Sequence, residues 1–211
     1  MTGRHNLNLR STLSLRLSVV LLILLAAVFP ISVSAFNTVI IDAGHGGHDL
    51  GANHSLVYEK HLNLDVARRL ERSLKELGFR VVMIRRDDRF VPLDNRAAIA
   101  NRYRNSVFLS IHFNSSWKNQ VTGIETYYKS SAGRTLATLV QNELVRTIRT
   151  ENRGVKTANF VVLKKTRPPA ILIEGGFVSN KSQRNAMMDP RYRQGVVDSI
   201  VRGLMKYKGR R

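Results

Sequence analysis

The chain has 211 residues, no cysteine, and 34 Lys and Arg against 15 Asp and Glu, which gives a formal net charge of +19. The lack of cysteine excludes disulfides, a thiol nucleophile and a cysteine-ligated metal. The positive charge indicates attraction to polyanions.

Residues 1–35 have the pattern of an export signal. Three arginines precede an apolar run over residues 19–29, and Ala35 ends a Val-Ser-Ala sequence suited to cleavage. The apolar run is short for a membrane span, although an uncleaved N-terminal anchor is the alternative. We therefore expect a signal peptide over residues 1–35. The domain over residues 36–211 would then be exported to the periplasm, the cell wall or the extracellular space, without stable membrane association.

The positive charge remains in the expected mature domain. All 15 acids and 31 of the 34 Lys and Arg follow Ala35, so that its net charge is +16. Outside the membrane, the candidate polyanionic partners are anionic wall polymers or an anionic lipid surface. Nucleic acid is not an expected partner, because export removes the chain from it and no basic segment alternates with aromatics. A non-enzymatic binder of anionic surfaces is the competing class of function.

Predicted strands and helices alternate along the mature domain. The helix over 61–77 rests on apolar residues spaced three and four apart, whereas the strands are short apolar or β-branched runs. This alternation predicts a single three-layer α/β domain with a largely parallel sheet. The strands are predicted over 38–41, 80–85, 106–111, 123–128, 159–163 and 170–173, and the helices over 61–77, 92–103, 135–150 and 189–207.

Three candidate metal ligands lie at the ends of predicted elements. His45 follows the first strand in a glycine-rich turn, Glu59 precedes the leucine-rich helix, and His112 follows the strand over 106–111. Two imidazoles and a carboxylate form a known catalytic zinc set. Adjacent parallel strands bring their carboxyl ends to one edge of a sheet, which makes convergence on one zinc ion plausible. Each residue alone also has a purely structural interpretation.

Two further acids follow apolar strands. Glu174 comes after residues 170–173, where a carboxylate is costly to bury unless it has a partner or a nearby cation. Beside zinc, it would take a proton from the attacking water and pass it to the leaving nitrogen. The alternative is a hydrogen-bonded strand end. Asp42 could orient a histidine ring or form a turn.

Other arrangements compete with this set. His45, His48 and His54 lie within ten residues of each other and form a rival ligand set, on a loop that is a poorer template than three element ends. No His-Glu-x-x-His sequence is present, and the serines lack a glycine-flanked elbow. A zinc peptidase, or an amidase acting on another substrate, also remains an alternative.

Four motifs together resemble a known family. They are Ile-Asp-Ala-Gly-His-Gly-Gly at 41–47, Glu-Lys at 59–60, Ser-Ile-His-Phe-Asn at 110–114, and Glu-Gly-Gly-Phe-Val-Ser-Asn at 174–180. In this order they resemble the zinc-dependent N-acetylmuramoyl-L-alanine amidases of bacterial cell walls (the type 3 amidase catalytic domain). The resemblance runs from about residue 38 to residue 207.

The resemblance implies a fold, a reaction and roles for individual residues. The expected fold is one α/β domain with a mixed sheet of about six strands flanked by helices. His45, Glu59 and His112 would bind one zinc ion, and Glu174 would be the catalytic carboxylate. The substrate would be peptidoglycan, cleaved at the amide between N-acetylmuramic acid and L-alanine. Apart from the resemblance, Asn114 follows the strand that carries His112, so we expect it to hydrogen-bond the substrate or a ligand ring.

Some members of the family carry an inserted helix that blocks the active site. Here only residues 129–134 separate the corresponding predicted strand and helix. Six residues are too few to form a helix and also reach across a zinc site. The sequence therefore predicts an enzyme without a built-in autoinhibitory helix.

Overall fold

A computed structural model describes residues 36–209, and the predicted signal peptide over 1–35 lies outside this range. The strands are β1 (Thr38–Ala43), β2 (Asn53–His54), β3 (Val57–Tyr58), β4 (Arg80–Met83), β5 (Ser106–Asn114), β6 (Ile124–Tyr128), β7 (Asn152–Thr157) and β8 (Ala170–Phe177). The helices are α1 (Glu59–Glu76), α2 (Leu93–Ala100), α3 (Ser131–Ile148), α4 (Val161–Lys164), α5 (Lys181–Met188) and α6 (Pro190–Lys208). Within the range described, no helix is both long and apolar enough to span a membrane.

Six of the strands form one sheet in the order β4-β1-β5-β8-β6-β7, and β2 and β3 form a separate pair. β1 is parallel to β4 and β5, β5 is parallel to β8, and β6 is parallel to β7. Only the β6–β8 pairing in this sheet is antiparallel. The prediction of a mixed, mostly parallel six-stranded sheet is confirmed.

Helices cover both faces of the sheet and make the fold three-layered. On one face, fully buried Leu70 of α1, Val140 of α3 and Ile200 of α6 belong to the larger apolar core. On the other face, Ala100 of α2 and Val162 of α4 pack in a smaller core. Burying an aliphatic side chain of this size contributes about 1.5–3 kcal/mol, so the larger core contributes most of the stability.

Polar caps fix where several helices begin. The Ser130 hydroxyl accepts a hydrogen bond from the Gly133 amide at the start of α3, and the Asn180 side chain accepts one at the start of α5. Asp189 caps α6, whose first residue is Pro190. Proline suits this position because its missing N–H would have no partner within the helix.

One predicted strand is wrong. Residues 159–163 do not form a strand, because the chain turns into the short helix α4 at Val161. A short apolar run does not by itself distinguish strand from helix. The sixth strand of the sheet is instead β7, an edge strand that carries Arg153, Gly154 and Lys156. The short strands β2 and β3 and the helix α5 were not predicted.

Three central strands extend further than predicted, and these extensions position the site. β1 continues to Ala43, β5 to Asn114 and β8 to Phe177, so His112 and Glu174 lie within strands rather than after them. Because side chains alternate along a strand, His112 shares a sheet face with Ser110, and Glu174 shares it with Leu172. This is the face covered by α2 and α4.

Candidate metal centre

His45 has an unusual backbone conformation directly after β1. Its φ is 61°, and Gly46 and Gly47 follow with φ of 126° and 60°. Left-handed conformations at residues with a side chain cost of order 1–3 kcal/mol and persist only where the surroundings enforce them. The two glycines relieve the rest of the turn, since they adopt positive φ without a steric penalty.

Two buried arginines hold this turn in place. The Arg96 guanidinium donates to the carbonyl of His45 at 2.8 Å, and the Arg85 guanidinium donates to the carbonyl of Gly44 at 2.8 Å. Both arginine side chains are almost completely buried. The enforced conformation of His45 therefore depends on charge-assisted hydrogen bonds to consecutive carbonyls.

Glu59 lies in the first turn of α1 with its carboxylate between two histidines. Its Oε1 lies 2.8 Å from His112 Nδ1, and its Oε2 lies 3.1 Å from His45 Nε2. The amides of Ala52 and Phe113 also donate to this carboxylate. Burial acts to raise the pKa of Glu59, but the hydrogen bonds with the histidines outweigh it and hold the pKa well below its usual value.

His45, Glu59 and His112 each present one ligand atom, and these atoms all lie within 4.8 Å of one another. Within residues 36–209, these are the His, Asp and Glu side chains whose ligand atoms lie close enough together to hold one metal ion. The structure thus brings together the three residues singled out in the sequence, while their role as ligands stays a prediction. Two nitrogens and one carboxylate oxygen suit a divalent cation such as zinc.

Asp49 is a partner of the site that sequence reasoning missed. Its Oδ2 accepts a hydrogen bond from His45 Nδ1 at 2.8 Å, which leaves Nε2 facing Glu59. Burial acts to lower the pKa of His45, but the carboxylates of Glu59 and Asp49 raise it above its usual value. Ligand histidines commonly donate their second N–H to a carboxylate, so an acid on the same loop was an available signal.

Asp42 and Asn114 contact other groups. Asp42 forms a buried ion pair with Arg96 at 2.6 Å and accepts a hydrogen bond from Ser110, so it acts on the His45 turn through Arg96. Asn114 donates to Glu125 Oε1 at 2.7 Å. The histidine-orienting role of Asp42 and the substrate contact of Asn114 both stay predictions.

The rival ligand set of three histidines is not assembled. The ring of His48 packs against Phe90 with centroids 4.2 Å apart, and His54 lies in β2. His45 instead approaches His112, with ring centroids 4.9 Å apart. The pairing of β1 with β5 places these two strand ends side by side.

Glu174 lies beside His112 on the neighbouring strand of the sheet. Its Oε2 is buried and has no hydrogen-bond partner among the residues described. Burial raises the pKa of Glu174 well above its usual value, and the charges of Glu59 and Glu125 raise it further. An unpartnered buried carboxyl oxygen is costly, so it points to a functional rather than a structural role.

A cavity of about 650 Å³ opens over these side chains. His45, His112 and Glu174 are among its polar lining residues, and Phe90 and Phe160 are among its apolar lining residues. A concave apolar site with a few convergent polar groups is typical of an enzyme active site.

The fold and the converging ligands define a single-domain α/β protein with a candidate catalytic metal centre. Residues 39–206 match the profile of the N-acetylmuramoyl-L-alanine amidases. The chain belongs to this family of enzymes.

The chain is also similar to individual proteins and to a solved structure. The chain is 39% identical over 174 residues to the Bacillus subtilis protein YqiI, covering 81% of this chain and 84% of YqiI. It is 34% identical over 173 residues to the probable cell wall amidase LytH of Staphylococcus aureus, covering 81% of this chain but 58% of LytH. The crystal structure of an N-acetylmuramoyl-L-alanine amidase from Clostridium difficile 630 superposes with a TM-score of 0.79 at 38% identity, covering 82% of this chain and 97% of that one.

Proposed function

We propose that this protein is a zinc-dependent hydrolase that cleaves the amide between N-acetylmuramic acid and L-alanine in peptidoglycan. The observation that carries the proposal is the convergence of His45, Glu59 and His112. The two histidines line the same cavity as Glu174, whose carboxyl oxygen Oε2 is unpartnered. Membership of the amidase family gives the reaction class and the substrate.

His45, Glu59 and His112 would hold the zinc ion. When bound there, zinc supplies a Lewis acid that polarises the scissile carbonyl and lowers the pKa of water at the site. Asp49 and the backbone amides of Ala52 and Phe113 orient these side chains before any ion arrives. Such preorganisation reduces the entropy that the ligands lose on binding.

Glu174 would move the proton. As a base it takes a proton from the attacking water, and as an acid it returns this proton to the nitrogen of the departing L-alanine. Its buried position supports this role, because burial raises the pKa of the Glu174 carboxyl group well above its usual value and so favours uptake of a proton. The apolar side chains of Phe90 and Phe160 line the same cavity as Glu174.

We also propose that the enzyme acts without a built-in autoinhibitory segment, so that export, expression or access to the wall controls it. Residues 129–130 are all that separate β6 from α3. An activator protein that raised the turnover of the purified enzyme severalfold would contradict this proposal.

The domain boundaries and the site of action belong to the same proposal. Residues 1–35 would be the signal peptide, and residues 36–211 the catalytic domain that acts outside the cytoplasm. The similarity to a probable cell wall amidase supports action at the wall. The charge of +16 beyond Ala35 would favour adsorption to anionic wall polymers.

Digestion of purified sacculi tests the reaction. We expect the protein to release stem peptides with free L-alanine amino termini, a chelator to abolish the release, and added zinc to restore it. New glycan reducing ends without new amino termini would contradict the proposed bond specificity. Binding to sacculi without any release would favour the non-enzymatic binder.

A further inference from the structure

A second charged cluster lies one strand beyond Glu174. Glu125 on β6 pairs directly with Glu174 on β8, so the two side chains share one face of the sheet. Cβ atoms of directly paired residues are about 4.5–5.5 Å apart. The Glu125 cluster therefore borders the candidate active site on the side away from the metal ligands.

The buried carboxylate of Glu125 is fully occupied by its neighbours. Its Oε1 accepts hydrogen bonds from Asn114 and from the Tyr127 hydroxyl, both at 2.7 Å. Its Oε2 lies 3.1 Å from Arg153 Nε and 2.5 Å from Lys156 Nζ. Glu125 thus anchors two cations, and it has little remaining capacity for a ligand of its own.

Two lysines present positive charge on the open side of this cluster. The Lys156 side chain is 40% exposed, and its hydrogen bond to Glu125 uses one of three ammonium donors. Lys129, directly after β6, is also exposed. Among the residues described, its ammonium group donates a hydrogen bond of 2.6 Å to the side-chain oxygen of Asn159. This oxygen is uncharged, so it does not compensate the charge of the lysine.

The lysines flank one wall of the active-site cavity. Asn159, which holds Lys129, lines the same cavity as Glu174. Phe160 also lines it and packs edge-on against Tyr127 at 5.1 Å, and Lys156 lies over the Tyr127 ring at 6.0 Å. An extended substrate leaving the metal cluster along this wall would meet both ammonium groups.

The charges of this region do not cancel. Arg153 is balanced by Glu125 and by the exposed Glu151, whose Oε1 lies 3.3 Å away. Lys129 and Lys156 then add two positive charges, of which Glu125 offsets one at most. A carboxylate is the complementary ligand, because it can accept from two ammonium groups at once.

We propose that Lys129 and Lys156 form an anion-binding subsite for a free carboxylate on the second residue of the peptide, counted from the scissile amide. This subsite rests on the proposed amidase function and specifies part of its substrate. The enzyme prefers stem peptides with a free carboxylate at that position over peptides in which the carboxyl group is amidated.

Paired synthetic substrates test the subsite with the full-length protein. Two N-acetylmuramoyl-L-alanyl peptides differ only at the second residue, which carries a free α-carboxylate in one and a carboxamide in the other. We expect Lys129→Gln with Lys156→Gln to lower kcat/KM for the carboxylate substrate about tenfold or more, with kcat/KM for the carboxamide substrate within about twofold. Substitution of both lysines by arginine retains the charge, and we expect it to preserve the discrimination.

Lys75→Gln is a control for the loss of a single lysine charge remote from the site, since Lys75 lies at the far end of α1 from Glu59, about 24 Å along the helix axis. An equal loss on both substrates would overturn the subsite and show that the lysines only support Glu125. No loss on either substrate would overturn it as well. Failure of the wild-type protein to cleave either substrate would instead overturn the proposed amidase function.

Discussion

Gly44 and His112 are in such close contact that Gly44 has no room for a side chain. A Cβ atom built on Gly44 would lie 2.2 Å from His112 Cε1 and 2.3 Å from His112 Nε2. Real Cβ atoms do not approach a neighbour this closely, so either the ring or the turn would have to move. The position of the His112 ring therefore depends on the absence of a methyl group at Gly44, the residue next to His45.

We predict that Gly44→Ala weakens zinc binding by at least about tenfold while the protein stays folded, because the added methyl group displaces the His112 ring. Competition with a chromophoric chelator measures the affinity, and circular dichroism checks the fold. Gly209→Ala is the control, since the nearest atom to its new Cβ is 3.7 Å away. Unchanged affinity in Gly44→Ala would show that His112 is not held where the structure has it.

Asp49 gives a second test of the site. We predict that Asp49→Ala lowers zinc affinity about 10–100-fold, because His45 Nδ1 loses the carboxylate that fixes its ring. The free energy of unfolding of the metal-free protein should change little, because the Asp49 side chain is 39% exposed. Asp87→Ala removes an exposed carboxylate that lies 3.6 Å from Arg89, and it should leave the affinity unchanged.

The pairing of α3 with α6 predicts a pH dependence of stability. Lys206 lowers the pKa of Glu143, and Arg202 adds to this effect against the opposing influence of burial. A lowered folded-state pKa stabilises the fold fully above the ordinary pKa of 4.5, and the stabilisation is lost as the pH falls through the lowered value.

We therefore predict that Glu143→Gln lowers the free energy of unfolding by about 1 kcal/mol near neutral pH, and that this difference shrinks towards pH 3. Urea unfolding with chelator present measures it without any contribution from metal. Glu76→Gln, at an exposed residue that ends α1, should change the free energy by less than about 0.5 kcal/mol. A difference that grows as the pH falls would contradict the assigned ion pairs.

The fold could be predicted wherever hydrophobic periodicity was strong. The leucine spacing of α1 and the apolar runs of β5 and β8 correspond to elements of the structure, because their burial determines their pattern. β7 could not be predicted, because burial does not impose an apolar pattern on its sequence. It is an edge strand with half-buried side chains and a glycine at positive φ, so its sequence shows no apolar run.

The site could be predicted only in part. His45 and His112 follow predicted strands and Glu59 precedes a predicted helix, and the order of parallel strands brings such positions together. The roles of Arg85 and Arg96 in holding the His45 turn could not be recognised from the sequence. They depend on backbone carbonyls that lie 41 and 51 residues away in the chain. Asp49 was missed because the loop conformation that turns it towards His45 Nδ1 depends on glycines at positive φ.

We propose that three side chains bind zinc while a fourth moves the proton. Parallel measurement of zinc content and sacculus hydrolysis in Glu174→Gln and His112→Ala tests it most directly. We predict that Glu174→Gln retains one zinc ion per chain and loses nearly all hydrolysis, whereas His112→Ala loses both. Hydrolysis at the wild-type rate in Glu174→Gln, or a full complement of zinc in His112→Ala, would contradict the account.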